Sequence, residues 1–96
     1  MNRADIESKL NIVLQQMVSR CDDAMDKEAL RAAKLFQKLQ NLDVVGFSVP
    51  INSGSNQVHV SFTLDHFQQT PLDVLATEGL EDFQTAKANS RGGPKG

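Results

Sequence analysis

The sequence predicts an α+β fold in the order helix, helix, strand, strand, helix, on three observations. Residues 2–45 contain no glycine or proline and are rich in Ala, Leu, Lys, Glu and Gln, a composition typical of helices. Residues 45–64 hold two runs of alternating apolar and polar side chains, which is the period of half-buried strands. The tetrapeptide Thr-Pro-Leu-Asp at 70–73 then opens another segment with helical spacing.

The first helix is predicted over residues 3–20. Asn2 stands three residues before Asp5, and such a pair can cap a helix because a side-chain oxygen accepts a hydrogen bond from a free backbone N–H. The apolar side chains that follow have 4-3-4 spacing and therefore share one face. They are Ile6, Leu10, Val13 and Met17.

A second apolar stripe follows a cluster of aspartates at positions 22, 23 and 26. Aspartate is a preferred N-cap, so the cluster favours a helical hairpin whose second helix covers residues 24–41. The alternative is one long helix over 3–41, because no turn residue separates the stripes; it would measure about 55 Å at ~1.5 Å per residue. The second stripe consists of Met25, Ala29, Ala32, Phe36 and Leu39.

Two strands are predicted on either side of the polar loop 52–56, forming a β-hairpin. Pro50 has no backbone N–H to donate, so the first strand is expected to be an edge strand or to end there. The alternating apolar residues are Val45, Phe47, Val49 and Ile51 in the first strand and Val58, Val60, Phe62 and Leu64 in the second.

The last helix is predicted to begin at 70–73, where Thr70 caps it and Pro71 takes its first turn, and to end between residues 85 and 88. We therefore expect one small domain over 1–88. Residues 89–96 carry no apolar side chain larger than alanine, and they are expected to form a flexible, basic, Gly-rich tail.

Self-association is predicted from the size of the core. The chain has 96 residues, five Phe and neither Trp nor Tyr. A two-stranded sheet is marginal by itself, so its apolar face and its free edge would need partners. A homodimer joined through a sheet edge would supply them.

The sequence offers a basic stripe as a candidate partner-binding site. On a helix over 24–41, its four basic residues would lie within about 60° of arc, opposite Phe36. The alternative is the solvated back of an amphipathic helix. With Phe36 on the opposite side, no aromatic residue interleaves with the charges, and stacking of single-stranded bases has no support. The stripe consists of Lys27, Arg31, Lys34 and Lys38.

The polar loop is the second candidate partner-binding site. Its side chains offer many hydrogen-bonding groups, although the Gly-x-x-x-x-Gly-Lys spacing that cradles phosphate is absent. A plain hairpin turn is the alternative. The candidate residues are Asn52, Ser53, Ser55 and Asn56.

We predict no catalytic residue, no cofactor site and no metal site. Cys21 is the only thiol, and its position on the first stripe indicates a small buried hydrophobic residue. His59 and His66 have opposite parity on a strand and would lie about 23 Å apart at ~3.3 Å per residue, which is too far to share a metal.

These patterns predict a small non-enzymatic interaction protein, such as a regulator, inhibitor or adaptor, that acts as a homo-oligomer and binds another macromolecule, most simply a protein. The alternative is binding of nucleic acid or a nucleotide through the basic stripe and the tail. No segment is long and apolar enough to span a bilayer, and Met-Asn-Arg-Ala-Asp does not resemble a signal peptide. No membrane contact and a cytoplasmic location are therefore expected.

Overall fold

A computed structural model describes residues 1–51 and 56–92, and within them it confirms the α+β class. The element order is helix, helix, three strands, helix, helix, so the predicted order lacked one strand and one short helix. The elements are α1 (Arg3–Arg20), α2 (Ala24–Arg31), β1 (Lys34–Lys38), β2 (Val44–Ile51), β3 (Asn56–Thr63), α3 (Leu64–Gln69) and α4 (Leu72–Gly92).

Helix α1 has the predicted start and the predicted buried face. The backbone N–H of Asp5 donates to Asn2 Oδ1 at 2.8 Å, so the cap forms as the sequence indicates. The four residues with 4-3-4 spacing, from Ile6 to Met17, are all buried.

The chain breaks after α1, and the single long helix is therefore wrong. Asp23 caps α2, its Oδ1 accepting from the N–H groups of Met25 at 2.8 Å and Asp26 at 3.0 Å. The helical hairpin is right in its first helix and its turn, but α2 ends at Arg31 rather than near residue 41. The predicted second stripe does not form, since Met25 is 81% exposed.

Strand β1 is the element that the sequence analysis assigned to a helix. It pairs antiparallel with β2, from Lys34 opposite Ser48 to Lys38 opposite Val44. The hydrophobic pattern did not predict this strand, because Phe36 lies on the side away from the core while Gln37 lies on the side of the core. A strand whose outward side chain is apolar and whose inward side chain is polar lacks the usual alternation.

The predicted β-hairpin is present as β2 and β3, paired antiparallel from Val44 opposite Thr63 to Ile51 opposite Asn56. The sheet has the order β1-β2-β3, so β2 is central although it contains Pro50. The pairing of β1 with β2 ends at Ser48, so Pro50 lies beyond the end of β1. The N–H that Pro50 lacks is therefore not needed for a hydrogen bond to β1.

The helices α1 and α4 pack on one face of this sheet and enclose a single core. The inward side chains of β2 and β3 alternate with outward ones as the sequence predicts. The buried apolar residues are Ile6, Leu10, Val13, Met17, Cys21, Leu30, Val45, Phe47, Val49, Ile51, Val58, Val60, Phe62, Phe67, Leu75, Ala76 and Phe83.

The C-terminal part contains two helices instead of one. The hydroxyl of Thr63 accepts from the N–H of His66 at 3.3 Å and caps α3, so Leu64 begins a helix rather than ending a strand. Helix α4 follows Pro71 and continues to Gly92, past the predicted end at 85–88. The flexibility of the predicted tail stays a prediction, and its residues 93–96 lie outside the described part.

Two long-range polar contacts tie the short helices to the long ones. The Lys87 ammonium on α4 binds both carboxylate oxygens of Asp26 on α2, at 2.7 and 2.9 Å. The Lys9 ammonium on α1 donates to the Phe67 carbonyl on α3 at 2.5 Å and lies 4.8 Å from the centre of the Phe67 ring. Burial lowers the pKa of Lys9 from its ordinary value.

The physical case for a homodimer is weaker than the sequence indicated. The prediction of a homodimer assumed that one chain has a two-stranded sheet, whereas the sheet has three strands from the same chain. A three-stranded sheet with helices on one face meets the usual requirement for independent stability. Self-association stays a prediction, to be checked by the mass in solution.

Gly46 permits a close approach of β2 and β3, and we predict that Gly46→Ala destabilises the fold. A Cβ at position 46 would lie 1.9 Å from the Val60 carbonyl oxygen, a backbone atom that cannot move without shifting β3. The expected loss is about 1–3 kcal/mol in the free energy of unfolding, measured by urea denaturation followed by circular dichroism.

Gly79→Ala is the matched control. A Cβ there would lie 2.8 Å from the Met17 sulfur, which belongs to a flexible side chain, and alanine favours the helix by roughly 1 kcal/mol. Its net effect is expected to be smaller than that of Gly46→Ala. An unchanged stability of Gly46→Ala would contradict the close strand approach.

The ion pair between Lys87 and Asp26 is expected to contribute to stability, because both side chains are mostly buried, with exposures of 21% and 11%. Lys87→Met leaves the Asp26 carboxylate buried without its counter-charge. We predict a loss of about 1–3 kcal/mol on thermal or urea unfolding. The double variant Asp26→Asn/Lys87→Met should lose less than the sum of the two single variants, and additive losses would contradict a direct interaction.

Candidate functional site

The predicted basic stripe does not exist as one helical face. Lys27 and Arg31 lie on α2, whereas Lys34 and Lys38 lie on β1. Arg31 borders a groove on the helical layer whose other residues, from Asn11 to Val18, belong to α1. The structure therefore divides the four residues into a helical pair and a strand pair.

The polar loop is described only at its end. Asn52, Ser53 and Ser55 lie outside the described residues. Asn56 is exposed and pairs with Ile51 at the start of β3. Partner binding by this loop stays a prediction.

The strand pair belongs to a surface that the sequence analysis did not find, the outer face of the sheet. Side chains alternate along each strand, and the register places one set on the side away from α1 and α4. No described helix covers this side. We call it the open face, and its residues are Lys34, Phe36, Lys38, Val44, Gly46, Ser48, Pro50, Gln57, His59, Ser61 and Thr63.

Phe36 lies in the middle of β1, an edge strand of the open face, and is half-buried. The imidazole of His59 meets its ring in an edge arrangement, with centroids 6.0 Å apart and planes at 73°. The Lys38 ammonium lies 5.9 Å from the centre of the same ring, within the range of a cation–π contact. The neighbour of Phe36 on β2 is Gly46, which places no side chain beside the ring.

A shallow cavity of about 300 Å³ surrounds this ring. Leu42 forms its rim and is 70% exposed, at the tip of the β1–β2 connection. Asn41 and Asp43 on either side of it have φ of 68° and 48°, a left-handed conformation that these two residue types tolerate best after glycine. The cavity is lined by Phe36, Lys38, Leu42, Val44, Ser48, His59 and Ser61.

The electrostatic character of the open face is opposite to that of the chain as a whole. The protein has twelve acidic and ten basic side chains, a formal charge of −2. None of the acidic residues lies on a strand, whereas Lys34 and Lys38 both do. The open face is therefore a positive and partly apolar patch on an acidic protein, which favours an anionic ligand.

A second hollow lies beside the outer edge of β3 and is acidic. The His66 Nε2 and the Glu78 carboxylate are 2.6 Å apart, and Glu81 and Asp82 from α4 line the same hollow. His66 is on α3 and His59 on β3, so the two histidines belong to different elements. Among the described residues, no group of three or more His, Cys, Asp or Glu side chains is placed to hold a metal.

Cys21 is buried, as the sequence predicts for a small hydrophobic residue. Its Sγ lies 3.7 Å from the Asp23 carbonyl oxygen. A carbonyl oxygen is not a base that activates a thiol, so this contact gives Cys21 no nucleophilic role.

Phe36, His59, Ser48, Ser61 and Leu42 are the candidate residues that the sequence analysis missed. Phe36 was assigned to a core stripe, and His59 was weighed only as a metal ligand. The available signal was the period-two spacing of Lys34, Phe36 and Lys38, which would place all three on one face of a strand.

No family model, curated protein or solved structure matches this chain. None of the described helices combines the length and the apolar character that crossing a bilayer requires. The geometry of its own residues therefore carries the functional proposal.

Proposed function

We propose that this protein is a non-enzymatic binding module that holds an anionic macromolecule on the open face of its sheet. The observation that carries the proposal is the uncovered face itself. It combines two lysines, a half-buried aromatic ring and no carboxylate, in a chain with a net negative charge.

The shape of the face supports a macromolecule rather than a small substrate. Small-molecule sites bury most of their ligand in a deep cleft, whereas the cavity around Phe36 is partly open to solvent. The two lysines extend the positive patch along the whole of β1. A polymer with repeated negative charges can contact both of them at once.

A regulator, inhibitor or adaptor would fit this description, as the sequence predicts. The proposed binding surface does not serve as an interface between two copies of the chain. Two copies in face-to-face contact would each bring Lys34 and Lys38 and no strand carboxylate, so their open faces would repel one another.

The proposal is tested by adding one negative charge to the open face. Ser61 is exposed there, opposite Gly46 on β2. We predict that Ser61→Asp weakens binding of an anionic polymer by at least about 3-fold, the effect of one unit charge roughly 6 Å from another in water. Ser8→Asp on the exposed side of α1 adds the same charge elsewhere and should leave affinity unchanged.

The measurement is a nuclear magnetic resonance titration of the ¹⁵N-labelled chain at 50 mM salt. A single-stranded oligonucleotide, a duplex and poly-glutamate serve as separate probes. Shifts are expected to concentrate in β1, β2 and β3. Shifts confined to α1 and α2, or no binding of any probe, would contradict the proposal.

A further inference from the structure

We propose that the macromolecule on the open face is a single-stranded nucleic acid, one base of which stacks on the ring of Phe36. This inference rests on the proposed function and names its ligand class. It differs from the sequence-based nucleic-acid hypothesis, which used four charges on one helix and had no aromatic residue among them.

The arrangement of β1 supplies both groups that single strands require. Proteins that bind single strands combine cations that follow the backbone with aromatic rings on which bases stack. Lys34, Phe36 and Lys38 alternate on one face of β1, so the ring lies between the two cations. At ~3.3 Å per residue, the lysines begin about 13 Å apart, and a strand crossing the ring can contact both.

The surroundings of the ring leave space for a base. The His59 ring packs against Phe36 from the side of β3 in an edge arrangement, and the cavity lies against the Phe36 ring. Ser48 and Ser61 line the same cavity and can donate to or accept from a base edge or a sugar hydroxyl. A volume of about 300 Å³ suits one flat ring with its sugar rather than a stacked duplex.

The alternative anionic ligands use less of this surface. In a duplex the bases stack on one another, so the Phe36 ring would have no partner. An acidic peptide would pair with Lys34 and Lys38 but would leave the combination of ring, cavity and serines without a role. The single strand is the ligand that uses all of them.

The experiment measures anisotropy of a fluorescein-labelled 12-nucleotide single strand with the full chain. The same oligonucleotide with abasic sites has the same phosphates but no bases, so it isolates stacking. We expect the normal strand to bind more tightly than both the abasic strand and the duplex. Equal affinities for normal and abasic strands would overturn the inference.

Substitution of the ring separates stacking from charge. Phe36→Ala should raise Kd for the normal strand by roughly 5- to 150-fold, the range measured when a stacking ring is truncated, and should leave the abasic strand unaffected. Phe36→Tyr keeps a ring and should keep the affinity. Met25→Ala removes an exposed apolar side chain on α2 and serves as the control. No effect of Phe36→Ala would refute the stacking contact.

The lysines are tested through salt dependence. Lys34→Gln/Lys38→Gln should reduce the slope of log Kd against log salt by about 1.4, because two phosphate contacts are lost. Lys27→Gln/Arg31→Gln removes two charges from α2 and should leave the slope unchanged. A lower slope for this variant, with no change for Lys34→Gln/Lys38→Gln, would contradict the proposed site. Melting curves establish that each variant is folded.

The outcomes distinguish the two proposals. If poly-glutamate binds the open face and the oligonucleotide does not, this inference fails while the proposed function stands. If none of the probes binds, both fail.

Discussion

The packing of α1 and α4 on one side of the sheet is the constraint on which the rest of the structure depends. The two helices and β3 meet at Gly79, where an added Cβ would lie 2.8 Å from the Met17 sulfur and 3.5 Å from the Phe62 ring. Because α4 presents no side chain at that point, the Met17 side chain and the Phe62 ring lie against its backbone. The inward side chains of β2 and β3 are buried beneath this helical layer.

One-sided coverage leaves the other face of the sheet to solvent. The described residues form two long helices, α1 and α4, and both pack on the same side of the sheet. The outward positions of the strands are therefore free of the demands of core packing, and they hold lysine, serine and histidine. Phe36 is the aromatic hydrocarbon side chain among them, and at an outward position it gains little from the core. Its placement beside Lys38 and His59 is what gives the face its chemical character.

The short elements depend on specific polar contacts rather than on length. Helix α2 has eight residues, which is too short to be stable alone, and it is held by its Asp23 cap, by the burial of Leu30 and by the Asp26–Lys87 pair. Helix α3 has six residues and is held by the Thr63 cap and by Phe67, whose carbonyl receives the Lys9 ammonium. The polar contacts among these satisfy backbone or buried groups that a short helix leaves without an internal partner.

The sequence by itself determined the features that depend on neighbouring residues. The Asn2 cap, the buried stripe of α1, the alternation in β2 and β3 and the start of α4 after Pro71 all follow from spacings within one element. The tertiary structure alone decided the conformation of residues 32–38, because their apolar side chains fit helical spacing and do not alternate as those of a half-buried strand do. The strand conformation depends on hydrogen bonds to β2, which follows a turn in the sequence. It therefore cannot be predicted from the spacing of neighbouring side chains. Since this conformation moves Phe36 from the core to the same face as Lys34 and Lys38, the candidate site exists only at the tertiary level.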